Sequence, residues 1–292
     1  MKKYFAIIII LTFLFTACFP KESEPEEAEP TPPQFTLVMT DETWARLNME
    51  NSSFESPDDV IAQVDYYIHA ISQYVSRQNW YERLMLFDNT PHVEVRMTNG
   101  ISRVSHGAGG HIIYIFLNQR LFEHDLAPIA HEVAHVIVPS RGSRFLDEGL
   151  ASYLHDRFGQ NPTVFNWGLD PHILTRGFLT YEAEIFNVML PVIATGNASE
   201  NTFADGAFRS IFYISSNSFA TYLIDTYGIE NFMTLHASTN LINDYYTVLG
   251  KSREAVIAGW LEVVEAAPVM TGEEIDDYMD VLLTRHGIQQ PG

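Results

Sequence analysis

Apolar residues recur at helical spacing in several long segments of this sequence. The first segment opens with Ser56-Pro57-Asp58-Asp59, which combines a capping residue, a proline suited to a first helical turn and acids at the positive end of the helix dipole. Near the C-terminus, Thr271 and Glu274 have the spacing of a capping box. The pattern predicts helices over about 56–78, 126–138, 147–158, 208–227 and 253–266, and a final amphipathic helix after residue 271.

Two other segments have the pattern of strands. Residues 92–97 alternate between polar and apolar side chains, and residues 112–117 form a short apolar run that is typical of a buried strand. The glycine-rich segment 107–110 predicts a turn before the second strand, and residues 160–200 predict loops with short helices. The order of elements predicts an α+β fold, in which a small mixed β-sheet in the N-terminal half packs on a mainly helical C-terminal half. The helix over 126–138 is expected between the sheet-containing half and the helical half.

The N-terminal region has the features of a lipoprotein export signal. Lys2 and Lys3 precede an apolar run that is short for a membrane span, and small residues then lead to Cys18, the one cysteine of the chain. The segment 15–18 (Phe-Thr-Ala-Cys) resembles a bacterial lipobox. That resemblance implies cleavage before Cys18 and attachment of a diacylglyceryl group to its sulfur. An ordinary signal peptide with an incidental cysteine is the alternative.

These features divide the sequence into three parts. Residues 1–17 are predicted to be the signal peptide, residues 18–34 a disordered acidic tether rich in proline, and residues 35–292 the folded domain. The tether cannot bury enough apolar surface to offset its chain entropy, so we expect it to hold the domain off the membrane. The predicted location is therefore the extracytoplasmic face of a cell membrane, with a lipid anchor at Cys18.

The formal net charge of −20 at pH 7 narrows the choice of partners. Nucleic-acid binding requires clusters of Lys and Arg, so we expect no nucleic-acid partner. Anionic lipid would repel the domain, so contact with the membrane is expected through the lipid anchor. The oligomeric state stays open.

Two histidines spaced for a shared metal ion lie in the helix predicted over 126–138. The motif His131-Glu132-x-x-His135 places both imidazoles on one helical face, four residues apart. A glutamate directly after the first histidine can take a proton from a water held by the metal without binding the metal itself. Glu148, in the next predicted helix, can supply a third ligand and leave a fourth position to water. A purely structural role would leave both glutamates buried without a positive partner, which is costly.

The two motifs together resemble those of the gluzincin metallopeptidases, in particular short peptidases related to the catalytic domain of aminopeptidase N. In that family the HExxH motif is followed by an N-E-G or D-E-G segment, which here matches residues 147–149. The resemblance implies a zincin-like fold with Zn²⁺ as the cofactor and Glu132 as the general base. By the same resemblance, the metal ligands are His131, His135 and Glu148.

Three further expectations come from this resemblance. The segment around Tyr213 resembles the helix on which these peptidases carry a tyrosine that stabilises the oxyanion, although an ordinary core position is the alternative. The strand over 112–117 occupies the place of an edge strand that pairs with the substrate backbone. The large aminopeptidases carry a glutamate near this strand that holds the substrate's free amine. Segment 107–110 has none, which favours an endopeptidase.

Other polar residues near the motifs each have two alternative roles. Asp147 can orient a ligand histidine or cap its own helix, and capping is the favoured interpretation. His155 shares a helical face with Glu148 and is interpreted as a partly buried structural histidine rather than a partner of the site. His106 and His111 flank the glycine-rich turn and are expected in solvent rather than in the cleft.

The sequence therefore predicts a zinc-dependent hydrolase of peptide bonds, anchored to the membrane and acting outside the cytoplasm on peptide or protein substrates. One alternative is a catalytically silent surface lipoprotein that uses the fold as a binding module. Another is a scaffold in which a fourth protein ligand makes the zinc site purely structural.

Overall fold

A four-stranded sheet and the helices that surround and follow it make up the described part of the chain. The structure is a computed structural model and describes residues 35–85, 90–107, 110–140, 142–160, 168–184, 186–187 and 206–285. The predicted signal peptide, Cys18 and the predicted tether lie outside the described residues. The sheet belongs to the N-terminal half and the C-terminal half is mostly helical, so the predicted α+β class is confirmed.

The longer elements lie close to where the sequence pattern predicts them. The strands are β1 (Thr36–Met39), β2 (His92–Thr98), β3 (Arg103–His106) and β4 (Ile112–Asn118). Within the N-terminal part, the helices are α1 (Asp41–Trp44), α2 (Pro57–Tyr74), a 3₁₀ helix (Trp80–Leu84) and α3 (Gln119–Phe122). Further helices are α4 (Ile129–Ile137), α5 (Arg144–Phe158), α6 (Pro171–Tyr181), α7 (Gly206–Tyr227), α8 (Ile229–His236), α9 (Leu241–Leu249), α10 (Arg253–Ala266) and α11 (Gly272–Arg285).

Helix α2 begins where its sequence signals predict. The Ser56 hydroxyl accepts a hydrogen bond from the Asp59 backbone N–H at 3.3 Å, and the Asp59 carboxylate accepts one from the Ser56 backbone N–H at 2.9 Å. This reciprocal capping box satisfies backbone donors that the first turn would otherwise leave unpaired. The predicted apolar stripe is buried at Val60, Val64, Ile68 and Ile71.

Strand β4 lies inside the described sheet, and β1 and β3 form its two edges. The strand order is β1-β2-β4-β3, with β1, β2 and β4 parallel and β3 antiparallel to β4. The expectation that the strand over 112–117 is an edge strand is therefore wrong, because β4 is hydrogen-bonded to β2 on one side and to β3 on the other. The sequence of β3, Arg-Val-Ser-His, has one apolar residue in four and does not by itself indicate a strand.

The sheet buries one face against helices. Alternate residues of the two central strands point to this face, as the period of two in a strand requires. Helix α4 contacts β3, β4, α2 and α5, so the histidine-bearing helix lies between the sheet and the helical half. The buried strand residues are Val93, Val95, Ile113, Ile115 and Leu117.

Helices α5 and α7 approach each other closely at Gly149. A Cβ atom at this position would lie 2.4 Å from the backbone carbonyl oxygen of Ser216 and 3.1 Å from the Cβ of Ala220. A backbone carbonyl cannot rotate away as a side chain can, so the close approach requires glycine. Because Glu148 belongs to α5 and Tyr213 to α7, this crossing also sets the distance between two predicted site residues.

Replacing Gly149 by alanine is expected to lower the free energy of unfolding by about 1–3 kcal/mol, the typical cost of excess volume in a packed core. The methyl group must push α5 away from α7, and this cost opposes the gain of about 1 kcal/mol that removal of a helical glycine usually brings. Urea denaturation followed by circular dichroism measures the change. Gly272→Ala is the matched control, because its added Cβ would meet the Tyr181 ring at an ordinary 3.5 Å. A Gly149→Ala protein as stable as the parent would contradict this packing account.

Candidate metal centre

Helix α4 brings two imidazoles together on a buried surface. Every residue of α4 except His135 is buried, and the His135 side chain is 21% exposed. The apolar residues pack into the core and so fix the rotation of the helix about its axis. The spacing of four residues then places the Nε2 atoms of His131 and His135 3.2 Å apart.

Helix α5 carries Glu148 to the same point. The helix begins at Arg144, because the Ser143 hydroxyl caps it by accepting a hydrogen bond from the Leu146 backbone N–H at 3.3 Å. Glu148 follows in the second turn. Its Oε2 atom lies 3.2 Å from His131 Nε2 and 3.4 Å from His135 Nε2. The structure therefore brings together the three residues that the sequence indicates as ligands.

The three distances between ligand atoms match the edges of a tetrahedral zinc site. With bonds of about 2.0–2.1 Å to the metal, ligand atoms at tetrahedral angles lie about 3.3–3.4 Å from one another. The observed separations are 3.2, 3.2 and 3.4 Å. One cation can therefore contact all three atoms with little movement of the side chains. In the described part of the chain, this is the one group of His, Cys, Asp and Glu residues that converges in this way.

The electrostatics of the cluster favour a cation. Burial lowers the pKa of His131. Burial acts in the same sense on His135, but the nearby carboxylates, Glu148 foremost, outweigh it and raise the pKa of His135 to about 9. Burial alone would raise the pKa of Glu148, yet the two imidazoles hold that pKa well below its usual range. At neutral pH the metal-free protein therefore keeps a proton on His135, and a divalent ion that binds there must displace it.

Glu132 lies beside the cluster and has an unpaired carboxylate oxygen. The residue is 3% exposed, and within the described ranges no group hydrogen-bonds to its Oε2 atom. Burial is the main reason that the pKa of Glu132 is raised to about 8. The charge of His135 lowers this pKa, and the charge of Glu148 raises it. A buried carboxylate oxygen without a donor is costly, so such an atom calls for a polar or positive partner. The residues present therefore fit a bound divalent metal ion.

Tyr213, on α7, lies next to the histidines. Its ring centroid is 6.1 Å from that of His131, and the residue is 8% exposed. Burial and the negative charge of Glu148 raise the pKa of the Tyr213 phenol well above its usual range. The phenol therefore stays protonated and keeps an O–H donor beside the predicted ligands.

Arg144 is a site residue that the sequence analysis missed. It is the first residue of α5, one turn before Glu148, and its Nε atom lies 3.6 Å from Glu148 Oε1. Its positive charge also acts on Tyr213, where it partly opposes the rise in the pKa of the phenol. Because the Arg144 side chain is 45% exposed, the guanidinium lies between the buried cluster and solvent. The spacing of four residues from Glu148 is the signal that could have indicated this contact.

Asp147 does not cap α5, because Ser143 occupies the capping position, so the favoured interpretation of this residue is wrong. The Asp147 carboxylate instead accepts a hydrogen bond from the Ser140 hydroxyl and lies 2.6 Å from Nε2 of His236 on α8. Asp147 and His236 are both buried. Their contact ties the first turn of α5 to α8 and to the loop after α4, and so supports the helix that carries Glu148.

The other three histidines named from the sequence do not belong to the converging group. His155 is 3% exposed and packs at the end of α5, where a Cβ at Gly159 would lie 2.7 Å from its ring. The sequence predicts a partly buried histidine here, and the structure buries it more completely. His106 is exposed at the end of β3, and His111 is partly buried just before β4.

Comparison with known proteins adds no assignment. No family model matches the chain, and neither the curated proteins nor the solved structures give a match. The function is therefore inferred from the residues and their geometry.

Proposed function

We propose that this chain is a zinc-dependent metallopeptidase of gluzincin type that hydrolyses bonds in peptide or protein substrates. The observation that supports the proposal most strongly is the convergence of His131, His135 and Glu148, whose ligand atoms lie 3.2–3.4 Å apart. Zinc bound there would polarise the scissile carbonyl and make water more acidic. Catalytic zinc sites use three protein ligands and keep one position open, whereas structural sites use four.

Glu132 is the general base in this proposal. It follows His131 on the same helix, and its Oε2 atom is buried without a hydrogen-bond donor in the described part of the chain. The positive charge of zinc bound beside it would lower the pKa of Glu132, so the ionised carboxylate could accept a proton from the attacking water. After the carbon–nitrogen bond breaks, the same carboxyl group can give the proton to the leaving amine. Glu132 therefore performs both proton transfers that hydrolysis requires.

Tyr213 is the proposed hydrogen-bond donor to the carbonyl oxygen as negative charge develops on it. The phenol is held beside His131 by the packing of α7 against α5. A neutral donor in a buried position stabilises an oxyanion more strongly than one exposed to water. The position of the ring supports this role over that of an ordinary core residue.

The edge strand β3 is the proposed partner of the substrate backbone. Within the described sheet β3 pairs with β4 alone, and α4 packs against it, so an extended peptide on its other side would lie near the ligand cluster. Such pairing orients a peptide along its length. It suits cleavage inside a chain, which is the mode that the sequence favours.

The proposal is tested with a mixture of peptides, zinc and a chelator. The mature protein with one equivalent of zinc is expected to cleave peptides at internal bonds, to stop after chelation and to recover when zinc is added back. Mass spectrometry identifies the cleavage sites. A protein that binds one zinc and cleaves nothing in a broad mixture would contradict the proposal and support the binding-module alternative.

We also propose that the protein is a lipoprotein on the outer side of a cell membrane. In the described ranges, no helix combines the length and apolar character that a membrane crossing needs. The support for an anchor is the sequence around Cys18, where small residues follow the apolar run.

Mass spectrometry of the mature protein is expected to find an N-terminal peptide that begins at Cys18 and carries a diacylglyceryl group. Replacing Cys18 by serine removes the thiol that is modified, so we expect no lipid and an uncleaved N-terminal segment. Labelling with a radioactive fatty acid provides a second measurement. An unmodified mature N-terminus at another residue would contradict the anchor.

A further inference from the structure

The two oxygens of Glu148 face different partners. Oε2 lies 3.2 and 3.4 Å from the Nε2 atoms of His131 and His135, whereas Oε1 lies 3.6 Å from the Nε atom of Arg144. The Glu148 side chain is 11% exposed, so solvent has little access to compete for either oxygen. One carboxylate oxygen therefore faces the two histidine ligands, and the other faces the guanidinium of Arg144.

This division matters for the number of coordination positions. A carboxylate that binds a metal through both oxygens takes two positions, so with two imidazoles and a water the metal would be five-coordinate and would have no position left for a substrate carbonyl oxygen. A carboxylate that binds through one oxygen takes a single position, and a tetrahedral zinc ion then keeps the fourth for water. The chemistry proposed above requires the second arrangement.

We propose that Arg144 is a positioning residue that holds Glu148 Oε1 away from the metal, so that Glu148 binds through Oε2 and one coordination position stays open. The inference rests on the proposed metal site. Arg144 does not contact the reacting atoms in this account, but acts through Glu148.

The chemistry of arginine suits this role. A guanidinium is positively charged at all physiological pH values and presents several N–H groups in a rigid plane, so one side chain can bond two acceptors at once. Arg144 lies beside two acceptors here, because it forms an ion pair with the Glu148 carboxylate at 3.6 Å and its charge also acts on the Tyr213 phenol. A single residue therefore lies beside both the third ligand and the proposed oxyanion donor.

The position of Arg144 in α5 makes the contact an intrinsic feature of the helix. Residues four apart lie on one face, so Arg144 and Glu148 meet whenever the helix begins at Arg144. The Ser143 cap sets that start. Because the side chain is 45% exposed, its replacement leaves no cavity in the core, and the variant is expected to fold.

The test is the visible spectrum of the cobalt-substituted protein, which reports the number of ligands on the metal. The parent protein is expected to show the intense absorption of four-coordinate cobalt. Arg144→Met is expected to bind cobalt and lose that intensity, because Oε1 can turn toward the metal and raise the coordination number from four to five. Arg46→Met is the matched control, since Arg46, just after α1, pairs with Glu42 at the same spacing and both side chains are exposed.

The outcomes separate this inference from the proposed function. A parent protein that binds neither cobalt nor zinc overturns both. A parent that binds cobalt, with an Arg144→Met variant that keeps the same four-coordinate spectrum, overturns the role of Arg144 alone. If that variant keeps the spectrum but loses cleavage of selected peptides, Arg144 contacts substrate instead of positioning Glu148, and the inference is again overturned.

Discussion

Replacing Glu132 by glutamine is expected to leave zinc bound and to lower kcat/KM for peptide cleavage by about 10²–10⁴-fold, the range that general acid–base catalysis contributes. Glutamine has nearly the same shape as glutamate, but its side chain cannot take up and release a proton at neutral pH. Glu132 is not one of the three converging ligands, so the metal site should survive the change. The loss should therefore fall on the chemical step and not on metal binding.

Two measurements on the same sample test this expectation. Elemental analysis gives the zinc content, and the rate of cleavage of a peptide selected from the mixture gives kcat/KM. Glu42→Gln is the matched control, because it is the same substitution at a side chain that is 78% exposed on α1, away from the cluster. A zinc-loaded Glu132→Gln protein that cleaves at the parental rate would show that Glu132 is not the base.

Replacing His135 by alanine is expected to weaken zinc binding by more than about 100-fold, beyond the 10–100-fold cost of losing an outer partner of a metal ligand. The change removes one of three ligands. It also removes the main positive partner of the buried Glu148 carboxylate, since His135 is the largest influence that lowers the pKa of Glu148. Peptide cleavage should be lost at zinc concentrations that saturate the parent protein.

Competition with a coloured zinc chelator measures the dissociation constant directly. His69→Ala is the matched control, because the His69 side chain is 73% exposed on α2 and does not belong to the cluster. Circular dichroism shows whether each variant keeps its helices. If His135→Ala bound zinc as tightly as the control, His135 would not be a ligand and the three-residue site would be wrong.

The parts of the fold that depend on local signals could be predicted from the sequence. Helix α2 follows from the Ser56 cap and the apolar stripe behind it, and α10 follows from its 3.6-residue period. The two histidine ligands could also be predicted locally, because a spacing of four residues places His131 and His135 on one face of any helix. Each of these features depends on residues that lie within about 20 positions of one another in the sequence.

The missed features depend on contacts between distant residues or on a helix boundary. Strand β3 exists because it pairs with β4, and its own four residues give little sign of a strand. The roles of Arg144 and Asp147 were missed for one shared reason. The sequence predicts that α5 begins at residue 147, which makes Asp147 a cap and leaves Arg144 outside the helix. In the structure, the Ser143 cap places the start of the helix at Arg144. Arg144 therefore contacts Glu148, and Asp147 contacts His236.

X-ray absorption at the zinc edge, measured on the mature protein with one equivalent of zinc, tests the central claim most directly. The account predicts two imidazole nitrogens and two oxygens at about 2.0–2.1 Å, with one oxygen belonging to an exchangeable water. Loss of one imidazole from the shell in His135→Ala would assign the ligands. A shell of four protein ligands, or a protein that holds no stoichiometric zinc, would contradict the account.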